Sequence, residues 1–89
     1  MINMDKREFI AQFNPDAVLW DDLDDAIVGI TTNGVVVYDV NKIQEVLYEG
    51  WKKDPTDDVT MDDVIEYVEY NILCAYVGEF TPIHITSIP

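Results

Sequence analysis

Asp21-Asp22-Leu23-Asp24-Asp25 places four carboxylates within five residues. Oxygen donors of this kind suit hard cations such as Mg²⁺, Mn²⁺ or Ca²⁺. The run therefore offers a metal reading, with a carboxylate–metal hydrolase as its enzymatic form. Its spacing argues against that chemistry: the ligand order and the central glycine of an EF-hand loop are missing, and neighbouring side chains point in different directions. Two further readings stand beside it. The run is a solvated connection that keeps a sheet edge soluble, or it is an acidic patch that meets a partner, with Trp20 beside it as an aromatic anchor.

A second acidic zone comprises Asp57, Asp58, Asp62, Asp63, Glu66 and Glu69. On a helix, Asp62, Glu66 and Glu69 share a face by i, i+4, i+7 spacing, and no Lys or Arg on that helix relieves them. Each like-charge pair at that spacing costs a few tenths of a kcal/mol. The face is thus either solvated or retained for a partner. Tyr67, Tyr70 and Tyr76 lie in the same stretch and form a second packing face or part of a binding surface. Tyr70 falls off the apolar stripe and is the candidate contact among them.

Other reactive groups are few. His84 is the only histidine; in the alternating Ile83-His84-Ile85 it is expected to face away from the isoleucines, toward solvent. Cys74 is the only cysteine and reads as a small buried hydrophobe without the cationic neighbour that activates a thiol. The four glycines form no phosphate-binding loop. No catalytic residue, metal or cofactor is predicted, and the expectation is a protein that is not an enzyme.

Charge narrows the partner. Eighteen acids against five bases in 89 residues give a net charge of −13, and no Lys or Arg follows Lys53. Such a chain repels nucleic acid and anionic membranes and suits a basic protein surface. Its sharper form is imitation of the phosphate rows of a DNA duplex, which would inhibit a DNA-handling protein. A self-associating structural or assembly module, a homodimer for example, is the alternative.

The elements that must hold these residues can be read locally. At 89 residues the chain is one domain, 1–89. Its hydrophobic fraction of 48% is too high for a disordered acidic tail. Residues 5–13 have the spacing of a short helix, with Phe9, Ile10 and Phe13 inward. Asn14-Pro15 ends it and can cap a further short helix reaching Trp20. Residues 26–31 and 35–40 form two strands about Thr32-Asn33-Gly34, where Asn-Gly favours a type I′ hairpin turn. Gly29 marks a bulge or a close contact. Asp39 or Asn41 caps a helix to about Lys53, with Ile43, Val46, Leu47 and Trp51 inward. A loop spans 54–58. Thr60 and Asp63 open the last helix as a capping-box variant. Met61, Val64, Ile65, Val68, Ile72 and Ala75 are its buried stripe, and Gly78 its terminator. Residues 81–86 read as a strand, with Pro82 placing it at an edge. The expected fold is α+β: a small antiparallel sheet, hairpin plus C-terminal strand, packed against two main helices, with a short N-terminal helix.

The segments Leu23-Asp24-Asp25-Ala26-Ile27-Val28-Gly29, Val37-Tyr38-Asp39, Ile65-Glu66-Tyr67, Asn71, Ala75-Tyr76-Val77-Gly78 and Thr81-Pro82-Ile83 together resemble a family of small uncharacterised bacteriophage and prophage proteins. The resemblance covers roughly residues 20–85. It implies a gene product acting in the cytoplasm of a bacterial host and carries over no catalytic residue. The opening residues lack the apolar core of a signal peptide, and no apolar run approaches the roughly 20 residues that span a bilayer, which agrees with that setting.

Because the acids sit on a folded body, their repulsion opposes folding. Added salt at neutral pH is expected to raise the thermal midpoint from its low-ionic-strength value, by screening over about 10 Å at 0.1 M. A midpoint that falls, or does not move, between about 0.01 and 0.3 M NaCl contradicts this.

Overall fold

The computed structural model describes residues 5–53, 56 and 58–88. Local signals set most of the element starts. Helix α1, Lys6–Phe13, begins where the Asp5 side chain accepts the Glu8 N–H, and it stops before Asn14. The short helix expected after Pro15 does not form. Asn14 Oδ1 accepts the Asp16 N–H, its carbonyl accepts the Ala17 N–H, and its Nδ2 donates to the Gly34 carbonyl. An asparagine so engaged supplies the backbone with partners that a helix would otherwise provide. Residues 17–20 run on irregularly to a single 3₁₀ turn, Asp24–Ala26.

The hairpin forms as expected, from β1, Ile27–Ile30, and β2, Val36–Asp39. Its turn is not type I′. Asn33 lacks the positive φ that type requires, whereas Gly34 has φ +90°. Gly34 N–H donates to the Thr31 carbonyl, and Thr31 N–H to the Val35 carbonyl, which closes a three-residue loop with glycine in the left-handed place. The Thr31 hydroxyl secures it by donating to Asn33 Oδ1 and accepting the Val35 N–H. A register shift between Ile27 and Gly29 leaves Val28 as the extra residue of a bulge.

Asp39, not Asn41, caps α2, Val40–Trp51, by accepting the Asn41 and Lys42 N–H groups. The Ser87 hydroxyl donates to its other oxygen at 2.6 Å. That hydrogen bond, aided by the two backbone donors, holds the Asp39 carboxyl below its ordinary 3.8. Thr60 and Asp63 make the reciprocal capping box of α3, Met61–Val68. The helix does not run on to Gly78. It widens into a π-helical turn, Glu69–Leu73, and ends at Cys74. Gly78, at φ +107°, serves the later turn in which Thr81 N–H reaches its carbonyl.

The sheet order is β1-β2-β3, with β3 spanning Ile83–Ile85 at an edge as Pro82 suggested. The fold is α+β, but the sheet is mixed. β3 pairs with β2 in parallel, through Val37–Ile83, Tyr38–His84 and Asp39–Ile85. Two helices intervene between β2 and β3 and return the chain in the original direction, as a parallel crossover requires. The core is built from Tyr38, Val36 and Ile27 of the sheet, Ile43 of α2, and Val64, Val68 and Ile72 of the α3 region, closed by Ile10, Leu23 and Ala26.

Register also decides which residues turn outward. His84 is aligned with the fully buried Tyr38, so it faces inward and is half-buried, contrary to the expectation from alternation. Ile83 and Ile85 lie on the outer face, 42% and 39% exposed. Cys74 is exposed because its helix has already ended. Trp51 packs partly against Tyr67 but remains 36% exposed, and Tyr67, Tyr70 and Tyr76 are exposed rather than a packing face. No described helix is long and apolar enough to cross a membrane.

Two glycines make opposite predictions. A Cβ on Gly34 would meet the Asn14 amide at 2.5 Å, on a left-handed backbone. Gly34→Ala is expected to destabilise by about 1–2 kcal/mol or more. A Cβ on Gly29 meets nothing within 4 Å, so Gly29→Ala is expected to be neutral within about 0.5 kcal/mol. Urea unfolding of the two variants checks the contrast, and equal midpoints would refute it.

Candidate functional site: a joined acidic and aromatic face

Burial of its apolar stripe fixes the rotation of α3, and that rotation decides what reaches solvent. Val64 and Val68 are fully buried. Asp63, Glu66, Tyr67 and Tyr70 follow at i, i+3, i+4, i+7 and make a second stripe beside them. The π-helical turn continues the stripe, where Asn71 Nδ2 donates to the Tyr67 carbonyl. Trp51, at the end of α2, closes the other side. Its ring meets Tyr67 edge-to-face, with centroids 5.1 Å apart and planes at 81°. The result is an open hollow of about 350 Å³ lined by Trp51, Asp63, Glu66, Tyr67, Tyr70 and Asn71.

A second hollow of about 250 Å³ is lined by Trp20, Asp21, Leu23, Leu47, Tyr67, Asn71 and Ile72. Tyr67 and Asn71 belong to both. The fold has therefore joined the two acidic zones into one face through those residues. No Lys or Arg lines either hollow. Asp21 comes from the first zone, and Asp63 and Glu66 from the second.

Trp20 is held in place, not left as a free anchor. Its backbone N–H donates to the Tyr38 hydroxyl at 2.8 Å, and its indole Nε1–H to His84 Nε2 at 2.9 Å. The Trp20 and His84 rings lie nearly coplanar, 10° apart in plane. Burial pushes the Tyr38 phenol up and the His84 imidazole below its ordinary 6.5. Since Nε2 accepts, the remaining imidazole proton sits on Nδ1.

The other candidate residues divide. Asp24 is engaged within the chain: its Oδ2 pairs with Arg7 Nε at 2.6 Å, which raises the Arg7 guanidinium's pKa further. Each side chain of that pair is about two-fifths exposed, so the pair contributes little, roughly 0–1 kcal/mol. Asp22 is exposed at a left-handed φ of +62°, which turns the chain between Asp21 and Leu23. Asp25, Asp58, Asp62 and Glu69 are exposed but line neither hollow. Asp57 lies outside the described residues. Among the described residues no group of three or more His, Cys, Asp or Glu side chains is placed to hold a metal ion, so Asp21, Asp22, Asp24 and Asp25 do not converge as ligands. Trp51 and Asn71 were missed as site residues. The i, i+3, i+4, i+7 series from Asp63 was a usable signal for the stripe, and Trp51 had none pointing outward.

Compared with protein-family models, with curated proteins and with solved structures, the chain matches none.

The Trp20–His84 hydrogen bond carries a pH dependence. With its folded pKa below 6.5, His84 takes up a proton more readily in the unfolded chain. Its contribution to stability is present above about 6.5 and is lost as pH falls through the folded value. Thermal midpoints between about pH 7.5 and 5.5 should therefore fall more steeply in the native chain than in His84→Gln, which keeps an acceptor for the indole but does not titrate. Parallel slopes would disprove the assignment.

Proposed function

We propose that this chain is a non-enzymatic accessory protein that binds a basic surface of another protein through the joined face. One observation carries the reading: Tyr67 and Asn71 are shared by two hollows whose carboxylates are Asp21, Asp63 and Glu66 and whose walls include Trp20, Trp51 and Tyr70. Aromatic anchors in partly desolvated hollows are what protein interfaces use for affinity. Surrounding acids without counter-charges steer a basic partner and reject anionic ones. The resemblance to phage proteins supports a host or phage protein in a bacterial cell as that partner.

A second reading is self-association through the outer face of the sheet. It is favoured by the exposure of Val28, Ile83 and Ile85 on the sheet. Sedimentation across concentration separates the two, since a chain that stays monomeric excludes the second.

The first reading is tested by affinity capture from bacterial lysate at about 0.05 M and about 0.5 M salt, with proteins identified by mass spectrometry. Basic proteins should be retained at low salt and released at high salt. Asp21→Asn combined with Glu66→Gln should reduce their recovery several-fold. Capture that is indifferent to both salt and these substitutions would reject the reading.

A further inference from the structure

The hollow at the end of α2 is walled by aromatic rings as well as by carboxylates. We propose that it receives an arginine side chain of the basic partner, in preference to lysine. The inference rests on the basic-partner reading above and adds the side chain and its seat.

The walls supply the first argument. Trp51 and Tyr67 stand at 81° with centroids 5.1 Å apart, so together they form a corner with two ring faces in different planes. Tyr70 is 73% exposed and borders the same space. A planar cation can stack on one ring while its edge meets another, and arginine stacks on aromatic faces in this way. The lysine ammonium is a compact, strongly hydrated point charge with no plane to match.

The polar groups supply the second. The Glu66 side chain makes no hydrogen bond or ion pair with any described residue. Asp63 commits one oxygen, Oδ2, to the Thr60 N–H and keeps Oδ1. Asn71 commits its amide nitrogen to the Tyr67 carbonyl and keeps its oxygen. Each of these three side chains thus brings an uncommitted acceptor to the lining. Arginine carries five N–H donors and no acceptor, which complements that set. An aliphatic occupant would strip water from these acceptors without replacing it, and a phosphate would meet like charge.

No Lys or Arg of the chain lines the hollow. Lys52 follows Trp51, but its Nζ lies over the Tyr48 ring at 5.5 Å and donates to the Tyr48 hydroxyl. Arg7 is committed to Asp24.

The test uses the full chain and two end-blocked, fluorescently labelled peptides, hexa-arginine and hexalysine, titrated by anisotropy at low ionic strength. Hexa-arginine is expected to bind at least about threefold tighter, the scale of one exposed cation–π contact. In a nitrogen-15 spectrum the Trp51 indole signal should shift more than that of Trp20. Tyr70→Ala, at an exposed position that leaves the core intact, should bring the two affinities together, and Glu66→Gln should weaken both. Equal affinities that still depend on Glu66 would overturn the arginine seat while leaving the basic-partner reading standing. An arginine preference untouched by Tyr70→Ala, with no shift at Trp51, would overturn the location. Failure of both peptides to bind would reject the seat and the broader reading together.

Discussion

Tyr38 is the residue on which the arrangement turns. It lies on the central strand and is fully buried, so its hydroxyl must find a partner inside the protein. It accepts the Trp20 backbone N–H, and this draws the irregular segment before the 3₁₀ turn down onto the sheet. Trp20 then passes the constraint on, because its indole N–H is satisfied by His84 on β3. Three segments far apart in sequence are thus held by two hydrogen bonds around one phenol. The hollow beneath Trp20 exists only because that segment is pinned. Tyr67 and Asn71 border it from the α3 side and carry the surface on to Trp51.

What could be read from the sequence was local. Asp39, one of two candidates, and Thr60 with Asp63 could be read as caps because capping involves only residues two or three apart. The hairpin was visible because Asn33-Gly34 and two β-branched runs sit side by side. The misreadings came from longer range. Asn14 was a plausible helix cap, yet it turned its side chain to Gly34, which the folded hairpin brings to it. The alternation around His84 pointed the isoleucines inward. The parallel register with β2, and a donor arriving from Trp20, reversed it. Neither influence has a trace in the three residues themselves.

The site was legible to the same degree. Composition identified the acidic zones but not which of their acids act together. Asp24 is neutralised by Arg7, whose approach depends on how α1 lies against the 3₁₀ turn. Asp62 and Glu69 share a face with Glu66 by spacing, whereas the rotation set by the buried Val64 and Val68 brings Asp63, Glu66, Tyr67 and Tyr70 to the hollow. The meeting of the two zones at Tyr67 and Asn71 is a tertiary event, and the π-helical turn that places Asn71 there has no propensity signature comparable to a cap.

The parallel pairing of β3 has a consequence for how the molecule assembles and opens. The β1–β2 hairpin closes over a short loop and can form early, before anything else is in place. β3 cannot add to β2 until α2 and α3 have folded back, so its loop-closure entropy is met late. It is also a three-residue strand at the sheet edge, the shortest of the three. Brief detachment of β3 would free His84, release the indole of Trp20 and loosen the hollow that Trp20 borders, all without disturbing the hairpin. The Trp20 side of the acidic face is thereby tied to the shortest strand of the sheet, so the opening of that strand and the shape of the hollow are one event.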